Sequence, residues 1–209
     1  MDYRVLTVSR EFGSGGGRIA QSIAKRLNWK LLDAELIDEI GCAAHVDAGI
    51  VSRFDEHVDG WLRRMNRQAM RGTALAAGVA LQQEKCFDED VMAELTRQII
   101  ERAFQAGNCV IVGRGAQCIL QAEPNVFHAF VYAPLRVRMQ RLRARLEPGA
   151  DIEQRIRVVD AERAHYLRLR FGKEWNNPHL YDLMISSGED EERTARVIEV
   201  AMGQAAGGC

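Results

Sequence analysis

Short apolar runs alternate with stretches of helical periodicity along most of the chain. Five runs have the length of strands: Arg4–Ser9, Trp29–Leu32, Cys109–Gly113, Val126–Tyr132 and Tyr181–Ser186. The third and fourth are almost continuously apolar, which is typical of parallel strands covered on both faces. The helical periods predict helices at about 16–27, 35–46, 50–71, 89–106, 135–146, 151–171 and 190–203. This alternation predicts an α/β fold with a parallel sheet.

A glycine-rich turn follows the first predicted strand and leads directly into the first predicted helix. It reads Ser9-Arg-Glu-Phe-Gly-Ser-Gly-Gly-Gly-Arg-Ile-Ala20. Glycines let successive backbone N–H groups converge on an anion, and the helix N-terminus adds its positive dipole. A plain surface turn is the alternative, but four glycines in five residues cost backbone entropy that such a turn would not need. We therefore predict that the following residues bind phosphate: Gly13, Ser14, Gly15, Gly16 and Gly17.

The lysine of the motif GxxxxGK[ST] is absent, because Gly16 stands in its place. Arg10, at the end of the strand, and Arg18, in the first helical turn, flank the loop and are candidates for the missing positive charge. A cation in the first turn of a helix is unfavourable beside the dipole, so Arg18 indicates a bound anion next to it. Arg18 is our first candidate to replace the lysine, and Arg10 is the second.

Polar residues follow two further strands. Asp33 comes after the second strand, where it could bind a substrate hydroxyl or amino group or a metal-bound water, or cap the next helix. Both the ligand role and the capping role stay open. Arg114 leaves the third strand between Gly113 and Gly115, which suits a bidentate contact with phosphate better than a solvated loop.

An arginine-rich segment separates the fourth strand from the fifth. Its candidate residues lie on one predicted helix: Arg155, Arg157, Asp160 and Arg163. Charge runs of this kind usually form a solvated face with ion pairs three or four residues apart. Because this segment is an insertion at the sheet edge, we favour a lid whose arginines close on transferring phosphates.

Composition narrows the possible partners. The chain has 209 residues, which predicts one domain, and its net charge of −1 gives no basic excess for nucleic acid. It has 24 arginines and four lysines, which suits phosphate binding but also fits a genome-wide compositional bias. Five cysteines without CxxC spacing, no signal peptide and no apolar run of membrane-spanning length predict a cytoplasmic protein. A homodimer through apolar positions around Trp61 and Met65 is left open.

Taken together, these motifs resemble the cytidylate kinase-like family, a branch of the P-loop nucleoside monophosphate kinases. The matching segments, spread in the same order over most of the chain, are Thr7-Val-Ser-Arg-Glu-Phe-Gly-Ser-Gly-Gly, Leu32-Asp33 with Glu35-Leu-Ile37, Val110-Ile-Val-Gly-Arg-Gly-Ala116, Pro124-Asn-Val, Tyr132-Ala-Pro-Leu, Arg155–Arg163, and Phe171-Gly-Lys-Glu-Trp175 with Tyr181-Asp182. The resemblance implies a three-layer P-loop kinase fold with a five-stranded parallel sheet. It also implies a helical insertion for the monophosphate at about 34–88 and an arginine-rich lid at about 147–180.

The function that the resemblance implies is transfer of the ATP γ-phosphoryl group to a nucleoside monophosphate, with CMP or dCMP as the leading acceptor, and with Mg²⁺. We assign the catalytic charge to Arg18, Arg155, Arg157 and Arg163, the donor phosphates to the glycine loop with Arg10 and Arg18, and the acceptor to Asp33, Arg114 and Asp160. The family's cytosine-reading aspartate is replaced by Gly115, so a same-fold kinase for another small acceptor is one alternative. A nucleotide-binding regulator without turnover is the other, which Gly16 favours.

Overall fold

The sheet has the predicted architecture. In the computed structural model, residues 3–38, 40, 89–147, 149–188 and 190–204 are described. Five strands lie in these ranges: β1 (Val5–Arg10), β2 (Lys30–Leu32), β3 (Cys109–Val112), β4 (Val126–Tyr132) and β5 (Leu183–Ser186). Their order is β2-β3-β1-β4-β5, and β1 runs parallel to both β3 and β4, as β4 does to β5. The predicted five-stranded α/β fold is confirmed.

The described helices alternate with these strands. They are α1 (Gly16–Leu27), α2 (Glu89–Ala106), α3 (Ala116–Ile119), α4 (Leu135–Arg143), α5 (Ile152–Phe171) and α6 (Glu191–Ala201), together with a 3₁₀ turn at Pro178–Leu180. A further helical segment begins at residue 34, and the predicted helix 50–71, with Trp61 and Met65, lies outside the described residues. The short α3 and the 3₁₀ turn were not predicted. No helix in the described ranges is long and apolar enough to cross a membrane.

The chain divides into two compact units, residues 1–31 with 107–209 and residues 32–106. The first unit holds the glycine loop and most of the sheet, and its core lies between the sheet and two helices. Leu6 and Val8 of β1 are buried with Ile19 and Ile23 of α1 and Ile198 of α6. The alternation of strand side chains places the odd-numbered β1 residues on the opposite face. The apolar positions of α1 follow the helical period, which is why this helix packs along the sheet.

The opposite face of β1 carries a buried polar pair. The Thr7 hydroxyl lies 2.7 Å from Nδ1 of His128, which belongs to β4 and is 8% exposed. The backbone N–H of His128 donates to Oδ2 of Asp182 at 2.7 Å, and the N–H of Asp182 donates to the His128 carbonyl at 2.8 Å. Burial lowers the pKa of His128, although the nearby Asp182 carboxylate favours the charged form. The neutral imidazole is therefore the form that the fold holds.

We expect the free energy of unfolding to fall as the pH drops from 7.5 to 5.5. An unfolded histidine binds a proton near pH 6.5, whereas folded His128 resists it, so acid favours the unfolded chain. Urea unfolding of the wild-type chain and of His128→Gln at both pH values measures this effect, and the variant should show the smaller fall. His179→Gln, which changes an exposed histidine, is the control. An equal pH dependence in His128→Gln and the wild-type chain would contradict the assignment.

Candidate functional site

The glycine loop joins β1 to α1 through two left-handed residues. Gly13 and Gly15 have φ angles of 81° and 84°, and Gly15 is the N-cap of α1. Helix α1 therefore begins at Gly16, whose N–H donates to the Ser14 hydroxyl oxygen at 3.4 Å. The first N–H groups of a helix have no intrahelical acceptors, and the helix dipole favours an anion beside them. The loop thus has the backbone groups that a phosphate site needs.

The glycines of the loop differ in what surrounds them. A Cβ at Gly13 would lie 2.9 Å from Cδ1 of Leu142, and one at Gly15 would lie 2.3 Å from Oε1 of Glu191. At Gly17, a Cβ would meet no described atom within 4 Å. Close packing and positive φ both require glycine at positions 13 and 15, whereas position 17 has room for a side chain.

Arg10 lies against the position where a P-loop lysine would stand. A Cβ at Gly16 would be 2.5 Å from Cβ of Arg10 and 3.1 Å from its Cγ. The other end of the same side chain reaches the end of β3, where Nη1 would lie 2.0 Å from a Cβ at Gly113. The Arg10 side chain therefore runs from the glycine loop to the turn that contains Arg114.

Arg18 forms a two-point ion pair with a carboxylate of the chain itself. Its Nε donates to Oε2 of Glu191 at 2.6 Å, and its Nη2 donates to Oε1 of the same residue. The hydrogen bond with Glu191 raises the pKa of Arg18. Glu191 stands in the first turn of α6, where the dipole also favours a negative charge. The anion beside Arg18 is thus a side chain in this structure.

Arg141 of α4 ties the loop to the segment after β5. It donates to the Ser14 carbonyl at 2.8 Å, to the Ser187 hydroxyl at 2.9 Å and to the Gly188 carbonyl at 2.9 Å. The Ser187 hydroxyl also donates to the Ser14 carbonyl at 2.6 Å. Nε of Arg141 lies 3.1 Å from Oε1 of Glu191. The backbone of the loop at Ser14 is therefore held by two donors.

A partly buried charge cluster, which we call the Arg138 cluster, holds the other side of the loop; it consists of Glu11, Phe12, Arg138 and Asp160. Arg138 donates to the Phe12 carbonyl at 2.7 Å, and its side chain is 7% exposed. It pairs with both Asp160 and Glu11. Oδ1 of Asp160 accepts the Phe12 N–H at 2.8 Å. Asp160, predicted to bind the acceptor, thus contacts the backbone at the start of the glycine loop.

The predicted lid arginines occupy different surroundings along α5. Arg163 donates to the Arg10 carbonyl at 2.8 Å and lies 5.8 Å from the ring centre of Phe12. Burial lowers its pKa. Arg155 and Arg157 are exposed, and Arg157 pairs with Glu153 one turn earlier. The carboxyl-terminal half of α5 is therefore attached to the loop, whereas the two earlier arginines face solvent.

Arg114 stands in a turn of three left-handed residues. The φ angles of Gly113, Arg114 and Gly115 are 82°, 53° and 72°. For a residue with a side chain, this conformation costs on the order of 1–2 kcal/mol, and such strain is concentrated at functional sites. A Cβ at Gly115 would lie 2.3 Å from Cε2 of Phe171. The turn therefore places an arginine at the carboxyl end of β3, and an aromatic ring packs against the last glycine of the turn.

Asp33 belongs to the second unit and caps the helical segment that follows it. Its Oδ1 accepts the Leu36 N–H at 2.9 Å, and its carbonyl accepts the Ile37 N–H at 3.1 Å. The predicted capping role is thus confirmed, and the ligand role stays a prediction. Within the described ranges, no three acidic, histidine or cysteine side chains gather in a way that could hold a metal.

Three residues around the loop were not predicted from the sequence, Arg138, Arg141 and Glu191, and Phe171 was named only within a matching segment. The sequence holds a signal for Arg138, because this charged residue lies among the apolar positions Val137 and Leu142 of α4, and all three are buried. A charged residue on the apolar face of a helix must find a buried partner. Glu191 is an ordinary acidic residue in the first turn of a helix, and nothing in its local sequence distinguishes it.

The parallel sheet, the glycine loop between β1 and α1, and the arginines around it define a P-loop kinase fold. A model of the cytidylate kinase-like family matches residues 5–189, and the chain belongs to that family. No curated protein matches the chain.

Solved structures agree on the fold. An uncharacterized protein from Eubacterium ventriosum is similar with a TM-score of 0.68 and 22% identity, over 95% of this chain and 98% of that one. Shikimate kinase from Bacteroides thetaiotaomicron has a TM-score of 0.50 and 16% identity, over 96% and 94% of the two chains. Shikimate kinase from Acinetobacter baumannii, in complex with shikimate, has a TM-score of 0.50 and 13% identity, over 97% and 95%. The family and the fold are those of phosphotransferases.

Proposed function

We propose that this protein transfers the γ-phosphoryl group of ATP to a nucleoside monophosphate, with CMP and dCMP as the first acceptors. The observation that carries the proposal is the arrangement at the carboxyl ends of the neighbouring strands β1 and β3. There the glycine loop, Arg10 and the strained Arg114 turn lie together in a chain of the cytidylate kinase-like family. Phosphoryl transfer requires little covalent chemistry from the protein, so positioning and charge neutralisation supply most of the rate.

The residues divide into those that bind and those that hold the binding groups in place. The backbone of Ser14–Gly17 would hold the donor phosphates, and Arg114 would bind the acceptor phosphate through its planar guanidinium. The Arg138 cluster and Arg141 fix the loop from opposite sides. Because loop position decides reaction geometry, these contacts orient the site without touching substrate.

Mg²⁺ would accompany the donor nucleotide at this site. In kinases, Mg²⁺ binds through one or two protein ligands together with phosphate oxygens and waters. It neutralises charge on the transferring group. Asp33 stays our proposed contact to such an ion through water, and we assign no further protein ligand.

A kinase of the same fold for a non-nucleotide acceptor is the second candidate. The favouring observation is at Gly115, the position of the cytosine-reading aspartate in cytidylate kinases. The Phe171 ring lies where a side chain at 115 would begin, 2.3 Å from the Cβ position. An aromatic edge accepts no hydrogen bond from a cytosine amino group, so this part of the site suits an acceptor that has no base amino group to be recognised.

A coupled assay of ADP formation tests both candidates. The panel contains the common ribo- and deoxyribonucleoside monophosphates, shikimate and several small hydroxylated acids and sugars. We expect CMP or dCMP to give the highest kcat/KM. Turnover with a non-nucleotide alone would replace the first candidate with the second. ATP binding by calorimetry without any turnover would instead support a nucleotide-binding regulator.

A further inference from the structure

We infer that Arg10 is the catalytic cation of this site and replaces the absent P-loop lysine at Gly16. The inference rests on the proposed function for its reaction. It gives Arg10 the role of replacing the lysine charge, for which the sequence made Arg18 the first candidate. Three observations carry it: the packing of Arg10 on Gly16, the direction of its side chain, and the engagement of Arg18 with Glu191.

The packing of Arg10 and Gly16 is reciprocal. Because a Cβ at residue 16 would be 2.5 Å from Cβ of Arg10, no side chain fits at 16 while residue 10 carries one. Real Cβ atoms do not approach this closely, and neither Cβ can move away as the end of a flexible side chain would. Side chains at positions 10 and 16 therefore exclude each other, and in this chain the charge arises from the strand end.

The direction of the side chain places its charge between the two phosphate-binding elements. The stem of Arg10 starts beside Gly16, the first residue of α1, and its Nη1 reaches Gly113, which begins the Arg114 turn. A phosphoryl group moving from a donor on the glycine loop to an acceptor at Arg114 would cross this region. A guanidinium there can hydrogen-bond two phosphate oxygens at once, which a lysine ammonium does not do with the same geometry.

Arg10 is also held in place at its backbone. Its carbonyl accepts a hydrogen bond from Arg163 at 2.8 Å, and β1 pairs Arg10 with Val131 of β4. Arg18 is bound by the Glu191 carboxylate through two donors, and its side chain is 43% exposed. Electrostatic stabilisation is effective where donors are fixed and shielded from water. Arg10 is half-buried whereas Arg18 is exposed, which favours Arg10.

The first test removes the charge and keeps the stem. Arg10→Gln should lower kcat by tenfold to a thousandfold, on the order expected for one lost donor. Calorimetry with ATP and with AMP gives a readout independent of turnover, because only ATP carries the phosphates that Arg10 would contact. We expect the affinity advantage of ATP over AMP to fall about tenfold or more in Arg10→Gln. Arg196→Gln, which changes an exposed arginine of α6, should keep this advantage.

The second test moves the charge back to the lysine position. In Arg10→Gly/Gly16→Lys, removal of the Cβ at 10 opens the space that the new side chain needs. This variant should recover most of the ATP advantage that Arg10→Gly loses. Arg10→Ala/Gly16→Lys is the matched control, since the Cβ at 10 remains and the clash persists; it should unfold at a lower temperature and show no recovery.

The outcomes separate this inference from the proposed function. If a folded Arg10→Gln variant keeps the wild-type preference for ATP over AMP, the role of Arg10 is overturned. Equal binding of ATP and AMP by the wild-type chain would overturn it as well. Equal behaviour of the two double variants would do the same. If the wild-type chain turns over no acceptor but Arg10→Gln loses the ATP advantage, the proposed function fails while the phosphate contact of Arg10 stands.

Discussion

Replacing Asp160 with alanine should lower the free energy of unfolding by about 3 kcal/mol. Removing one partner of a buried ion pair typically costs about 3–5 kcal/mol, because the other charge stays buried. Here the remaining charge is Arg138, whose side chain is 7% exposed. We expect the lower end of the range, since Glu11 still pairs with Arg138 at 3.1 Å. The Phe12 N–H also loses its acceptor, so the start of the glycine loop is released.

Equilibrium urea unfolding measures this change, and Glu153→Ala is the control on the same helix. Glu153 pairs with the exposed Arg157, and a surface pair of this kind is worth about 0–1 kcal/mol. Asp160→Asn keeps an acceptor for the Phe12 N–H but loses the charge, so it should lie between the two. If Asp160→Ala and Glu153→Ala are equally stable, Asp160 is not the anchor of Arg138 that its contacts indicate.

The sheet could be predicted from the sequence because its signal is local. β4 is a nearly unbroken apolar run, and its predicted bounds, Val126–Tyr132, are those of the structure. The prediction starts β5 two residues early, at Tyr181, whereas the strand begins at Leu183. Tyr181 instead ends the 3₁₀ turn, and its hydroxyl donates to the Trp175 carbonyl at 2.7 Å. Such a bond follows from tertiary packing and leaves no trace in strand periodicity.

The candidate site was predicted in part, and the division has a physical reason. Glycines after a strand indicate close backbone approach, so the loop and the Arg114 turn could be located from sequence. The arginine that supplies positive charge to the loop could not be predicted, because the hydrogen bonds and ion pairs join residues that are far apart in the sequence. Arg138 and Phe12 are 126 residues apart, and Arg18 and Glu191 are 173 apart. The sequence shows where an arginine stands but not what it contacts. The fold determines whether its guanidinium binds a carboxylate of the chain or lies at the site.

The same substitution at two glycines of the loop should have opposite effects on stability. Gly15→Ala should lower the free energy of unfolding by about 2 kcal/mol, because alanine in the left-handed region costs about 1–2 kcal/mol. In addition, the new Cβ would lie 2.3 Å from Oε1 of Glu191, whose carboxylate would have to leave Arg18. Gly17→Ala should raise the stability by up to about 1 kcal/mol, since Gly17 is helical and a Cβ there meets no described atom within 4 Å.

Nucleotide binding gives the second readout for Gly15→Ala. A loop displaced by about 1 Å misaligns the N–H groups at the start of α1, and errors of that size cost as much as a hundredfold in rate at reactive sites. We expect calorimetry to give ATP binding weakened about tenfold or more in this variant. Adding Glu191→Ala to Gly15→Ala removes the clash but not the strain of positive φ, so it should recover only part of the lost stability. Full recovery would place the whole effect in the contact with Glu191, and equal stability of Gly15→Ala and Gly17→Ala would contradict the left-handed turn itself.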